Sequence, residues 1–102
     1  MIDVTTRPRR IEAVEAHEVA DEMALYLPAQ AKMLSLNASA RAIWELCDGT
    51  HTIAQISGIL TDDLNAANAP VPAHLLDDVQ TAVSQFYTLG FATLQKEGAD
   101  EE

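Results

Sequence analysis

The sequence predicts a single α+β domain, with strands first and helices after them. Three observations predict it. Between Glu12 and Leu36 the apolar residues fall in short alternating runs separated by turn residues, the period of a half-buried strand. From Asn37 to Leu89 they fall instead in stripes spaced i, i+3, i+4 and i+7, the period of an amphipathic helix. Start and stop signals bracket those stripes with little slack. At 102 residues the chain is long enough for one modest core and too short for two.

Residues 1–11, MIDVTTRPRRI, are polar, basic and interrupted by Pro8, and read as a flexible arm outside the domain. Ala13–Val19 fits either a strand or a short helix, because Ala and Glu are weak strand formers. Met23–Leu27 is a strand by composition. Pro28-Ala29-Gln30 makes a turn, and Ala31–Leu36 returns antiparallel, with Leu34 and Leu36 alternating against Met33 and Ser35.

Asn37 supplies an N-cap oxygen for a helix over 38–47, whose stripe is Ala40, Ile43, Trp44 and Cys47. Asp48-Gly49 stops it, with Gly49 free to take the left-handed conformation. Thr52 and Gln55 have capping-box spacing for a second helix over 53–63, buried through Ile53, Ile56, Ile59 and Leu60. Gly58 inside it costs roughly 1 kcal/mol relative to Ala and points to a close helix crossing. Residues 62–71 form a polar loop without a period. Pro72 suits the first turn of a third helix running to Leu89, with Asp77 and Asp78 near its positive end and Gly90 as its stop. That helix carries one stripe of Leu75, Val79, Ala82, Phe86 and Leu89 and a second of Leu76, Val83 and Tyr87. So wide an apolar face predicts that part of it lines a groove. Phe91–Leu94 returns as a short strand, and residues 96–102 form an acidic, disordered tail.

Charge excludes one class of function. Sixteen acids face six bases, a formal charge of −10. Three of the bases, Arg7, Arg9 and Arg10, lie in the first ten positions. Strands and three helices with a wing-like return suggest a winged helix-turn-helix, a scaffold that often binds DNA. Here the second and third helices carry no Lys or Arg, and such a surface repels a phosphate backbone. A body this acidic attracts basic peptides or basic protein faces instead.

Catalytic and metal chemistry find no foothold. His17, His51, His74 and Cys47 are the soft ligands, and no Cys-x-x-Cys or His-x-x-x-His pair joins them. The pairs Asp62-Asp63 and Asp77-Asp78 are helix neighbours whose side chains diverge. The four glycines are isolated, so no phosphate-cradling loop is formed. The expectation is a protein that is no enzyme, with no catalytic residue, no metal and no cofactor. No stretch reaches the length of a membrane span, and the N-terminus has no apolar signal core, so the expected setting is cytoplasmic.

The stretch LNASARAIWELCDGTHTIAQI, residues 36–56, resembles the signature of the PqqD-like family, the recognition elements for precursors of ribosomally made, modified peptides. Leu36-Asn37, Ile43-Trp44-Glu45-Leu46-Cys47-Asp48-Gly49 and Thr52 follow its order, and Asp78-Val79, Val83, Phe86 and Gly90-Phe91 follow it downstream. The resemblance spans residues 12–94, and Ala82 stands where the family often has Phe. It implies that the first segment is a strand. The fold class is then a winged helix-turn-helix-like domain over 12–95, an N-terminal three-stranded antiparallel sheet followed by three α-helices. It further implies a peptide-binding role: capture of a leader segment by strand addition, and presentation to a modifying enzyme of the radical SAM kind or of the peptidase or cyclase kind. The edge is then Ala31–Leu36 and the groove wall the third helix. The candidate contacts are Lys32, Met33, Leu34 and Ser35 on the strand and Leu76, Val79, Gln80 and Val83 on the helix. The same edge admits pairing into a homodimer. The readings that compete are a DNA-binding regulator and a general protein-interaction module.

Overall fold

The computed structural model describes residues 3–20 and 22–96. In chain order the elements are β1 (Thr6–Arg10), β2 (Glu15–Val19), β3 (Glu22–Leu27), a 3-10 turn (Pro28–Gln30), β4 (Lys32–Leu36), α1 (Ala38–Glu45), α2 (Ile53–Ala66), α3 (Leu75–Thr88) and β5 (Ala92–Lys96). β2, β3 and β4 form an antiparallel sheet in that order, and β1 pairs antiparallel with β5 in a separate two-stranded ribbon. Three helices follow the three-stranded sheet, as the α+β reading expects. Among the described residues no helix is long and apolar enough to cross a membrane.

Local signals set the helix ends. The Asn37 side chain accepts from the Ala40 amide, 2.9 Å away, and Thr52 and Gln55 form a reciprocal capping box. Gly49 and Gly90 sit at φ 85° and 87°, a region where a Cβ meets the backbone and glycine does not. α1 stops at Glu45, α2 continues to Ala66, and α3 begins at Leu75 rather than at Pro72. His74 occupies the cap position of α3 without a side-chain cap bond. The close crossing expected at Gly58 is absent: a Cβ there would meet nothing within 4 Å.

β1 corrects the reading of residues 1–11 as an arm outside the domain. Pro8 argues against a strand, since it lacks a ladder donor. In β1 the Pro8 carbonyl accepts from the Gly49 amide at 2.9 Å, and the Arg10 amide donates to the Cys47 carbonyl at 2.8 Å. Within a strand residue the amide and carbonyl point to the same side, so the missing donor lies off the β5 ladder. The turn after α1 thus serves as a third strand for β1, with Arg9 bridged to Asp48. Arg10 also donates from Nη1 to the carbonyls of Trp44 (3.0 Å) and Glu45 (2.9 Å), which places a cation at the negative end of α1. Residues 97–102 of the expected tail lie outside the described residues.

The core gathers Met23, Leu25, Leu27 and Leu36 from the sheet, Ile43, Trp44 and Cys47, Ile53 and Ile56, and Val79, Val83 and Phe86 with Phe91 and Ala92. Trp44 meets Phe86 edge to face, centroids 5.2 Å apart and planes at 81°, a favoured aromatic geometry. Asp48 accepts from the Thr50 hydroxyl (2.6 Å) and amide (2.9 Å) and lies 3.2 Å from His51 Nδ1. The Thr50 hydroxyl first, then its amide and His51, hold the carboxylate down at about 2.

The Cys47 thiol is fully buried and donates to the Ile43 carbonyl at 3.2 Å. Burial pushes it from 9.0 up to about 12. The sign follows from linkage. Between those values the unfolded thiol ionises and the folded one does not, so its contribution is complete below pH 9.0 and is lost as pH rises toward 12. Cys47→Ala is therefore expected to flatten the loss of stability above pH 9, checked by urea midpoints at stepped pH. An equally steep loss without the thiol would assign that slope elsewhere.

Candidate functional site

The site expected from the sequence is an edge strand beside the third helix. β4 lies at one edge of its sheet, paired with β3 from Met23↔Leu36 to Leu27↔Lys32. Among the described residues nothing pairs with its other side, so half of its backbone amides and carbonyls point away from the sheet. Alternation divides the side chains. Leu36 is buried and Leu34 and Lys32 half-buried on the inner face, while Met33 and Ser35 stand on the outer face. Met33 is 68% exposed and lies opposite Tyr26 on β3. Lys32 Nζ donates to the Leu89 carbonyl at 3.3 Å, tying the edge strand to the end of α3.

The helix candidates separate. Val79 and Val83 are fully buried in the core and Gln80 is 8% exposed, while Leu76 is 39% exposed. The two valines therefore offer no side-chain surface to a groove in this structure. The second stripe is split, since Val83 faces inward and Leu76 and Tyr87 face out. What α3 does present is a groove of about 620 Å³ along its polar side, lined by Asp77, Gln80, Thr81, Ser84, Gln85 and Thr88 with Leu89 at its end. Leu89, at the end of this groove, is the residue to which Lys32 is tied, while the groove's lining comes from α3 and its cap. Of the sequence candidates Gln80 lines this groove and Lys32 bonds to the residue at its end, whereas Thr81, Ser84, Gln85 and Thr88 are not among them. Their signal was the helical spacing 77, 81, 84, 88, a polar face that reads as merely solvated.

The charge around the site is unbalanced. Arg41 is held by Glu18 and, at 3.1 Å, by Glu45. Arg10 caps α1, and Lys32 is tied to Leu89. These cations are committed internally, which leaves Asp62, Asp63, Asp77 and Asp78 exposed on two helices that carry no base. Among the described residues no group of three or more His, Cys, Asp and Glu could hold a metal ion. His17 lies 3.6 Å from Glu15 and His51 beside Asp48.

An antiparallel three-stranded meander with β2 and β4 at its edges, followed by three helices, defines a small α+β domain class. The chain belongs to the PqqD family, described as coenzyme PQQ synthesis protein D, which it matches over residues 22–92. No curated protein matches it. Among solved structures it resembles "TbiB1 in Complex with the TbiA(beta) Leader Peptide", with a TM-score of 0.64 at 18% identity over 82% of this chain and 93% of that one. At that identity the likeness speaks for the fold.

Proposed function

We propose that this domain captures the leader segment of a ribosomally made precursor peptide and presents it to a modifying enzyme. The observation that carries the reading is the unpaired β4 edge, tied through Lys32 to Leu89 at the end of the α3 groove. The leader adds as a fourth strand on β4, gaining main-chain hydrogen bonds, while its alternate side chains turn into the groove. Membership of the PqqD family and a fold shared with a protein solved with its leader peptide support it. The role is binding and delivery; the chemistry belongs to the partner, of the radical SAM kind or of the peptidase or cyclase kind. The setting is cytoplasmic. A homodimer through β4 would use the same edge and compete with the leader.

On this reading the α3 contacts differ from those the sequence suggests. Lys32, Met33, Leu34 and Ser35 supply the strand, and on α3 the contacts pass from Val79 and Val83 to Gln80, Thr81, Ser84 and Gln85. The test is a titration of isotope-labelled protein with leader segments of small peptides encoded beside its gene, followed by backbone amide shifts. Saturable shifts confined to residues 31–36 and 76–89 are the expected result. Silence from every leader in a folded sample would defeat it.

Acidity adds a kinetic expectation. With a formal charge of −10, a leader or an enzyme face rich in Lys and Arg is drawn in over a Debye length of about 8 Å at physiological salt. Association is expected to slow as salt rises while dissociation changes little, as stopped-flow at stepped ionic strength would record. An on-rate indifferent to salt would reduce the charge to a solubility feature.

A further inference from the structure

A second concavity lies among the three helices. It holds about 420 Å³ and is walled by Ala38, Ser39 and Ala42 of α1, Leu60 and Leu64 of α2, Pro70 of the connecting segment and Leu75 of α3. Its volume falls within the range of built ligand pockets, about 300 to 1,000 Å³. The wall is mainly apolar, and its two carboxylates, Asp63 and Asp78, come from different helices. Both are exposed, and among the described residues neither has a cation against it. The three helices around the pocket carry one base, Arg41, and it is spent on Glu18 and Glu45. Pro70 and Pro72 flank Val71, 37% exposed, so apolar surface continues past the rim on a segment stiffened by two fixed φ angles. A stiff wall loses little entropy when something docks on it.

We propose that this pocket docks the modifying enzyme, through a helix or turn that offers one or two apolar side chains flanked by Lys or Arg. The apolar residues enter between Leu60, Leu64 and Leu75, and the flanking cations meet Asp63 and Asp78. The charge selects the occupant: a second copy of this acidic chain would bring like charge to the same rim, and like charges facing each other across an interface are disfavoured. The proposal rests on the reading that the domain delivers its peptide to an enzyme. It assigns the enzyme to the helices and the leader to the β4 edge.

The test uses the labelled full chain and a short synthetic amphipathic helix with a leucine face flanked by arginines. Its control has the arginines replaced by glutamates, and a leader peptide is titrated in parallel. Saturable shifts at Ala42, Leu60, Leu64 and Leu75 with the β4 amides unmoved are expected. Binding should weaken roughly tenfold in an Asp63→Lys/Asp78→Lys variant, in which leader affinity is retained. Equal binding of the glutamate control, undiminished binding in the charge-reversed variant, or shifts confined to β4 and residues 80–89 would each overturn it. So would shifts of the pocket residues that follow the protein's own concentration, the mark of a second copy. A leader that fails to bind while the arginine helix still seats in the pocket would count against leader capture and leave the pocket standing.

Discussion

Proline at position 33 or 34 is expected to weaken leader binding by tenfold or more in one of the two variants. The reason is geometric. Successive amides of β4 point alternately toward β3 and away from it, so of Met33 and Leu34 one donates into the existing sheet and the other faces the open edge. Proline at the edge-facing position deletes a donor that only the leader uses and sets its ring against the incoming strand. One such hydrogen bond contributes about 1 kcal/mol net and the steric clash adds to it, which together reach the tenfold of about 1.4 kcal/mol. Proline at the other position breaks a β3–β4 bond and should appear first as lost stability. Calorimetric titration of both variants beside a urea melt separates the two effects. Unchanged affinity in both would rule out strand addition on β4.

The experiment is sharp because so much of this edge is visible in the sequence, and it is instructive where that visibility ends. Asn37, Thr52 with Gln55, Gly49 and Gly90 act on amides or backbone angles within a few residues of themselves, so their roles follow from local chemistry alone. β1 does not, because its partners are β5 and the turn after α1, both distant in the chain, and Pro8 masks the strand. The face of α3 was half legible. Its stripes locate an apolar helix, but which of two adjacent stripes turns inward depends on how α1 and α2 pack against it. Val83 went in while Leu76 and Tyr87 stayed out. The groove's lining was the least legible part, since Thr81, Ser84 and Thr88 look like any solvated face of a helix.

Trp44→Ala is the stability change expected to be largest. Trp44 is 4% exposed and packs on Phe86, and the Arg10 guanidinium lies 6.0 Å from its ring. Emptying that volume should cost about 3–5 kcal/mol, against a total of about 5–15 kcal/mol for a domain of ordinary stability. Trp44→Phe keeps most of the volume and should cost less. Since Trp44 is the single tryptophan, its own fluorescence reports the native melt, and circular dichroism is needed for the variant. A loss under about 1 kcal/mol would mean that the core collapses around the gap, unlike most large-to-small core changes.

The ribbon of β1 and β5 has a consequence for the order in which the chain folds. Its register joins residue 6 to residue 96 and residue 10 to residue 92, whereas the β3–β4 hairpin closes between Leu27 and Lys32. Going from the short loop to the long one is roughly four doublings of length, or about 2 to 3 kcal/mol of closure entropy. That entropy must be overcome before the ribbon's contacts return anything, so the ribbon is expected to zip after the meander and the helices are in place. By the same reasoning it opens first: amide protection in β1 and β5 should fade ahead of that in β3 as denaturant is raised. The opposite order would put the ribbon in the folding nucleus. An early-opening ribbon would also release the Arg10 cap on α1 and the Pro8 contact with Gly49 together, making the turn after α1 the next part of the fold to loosen.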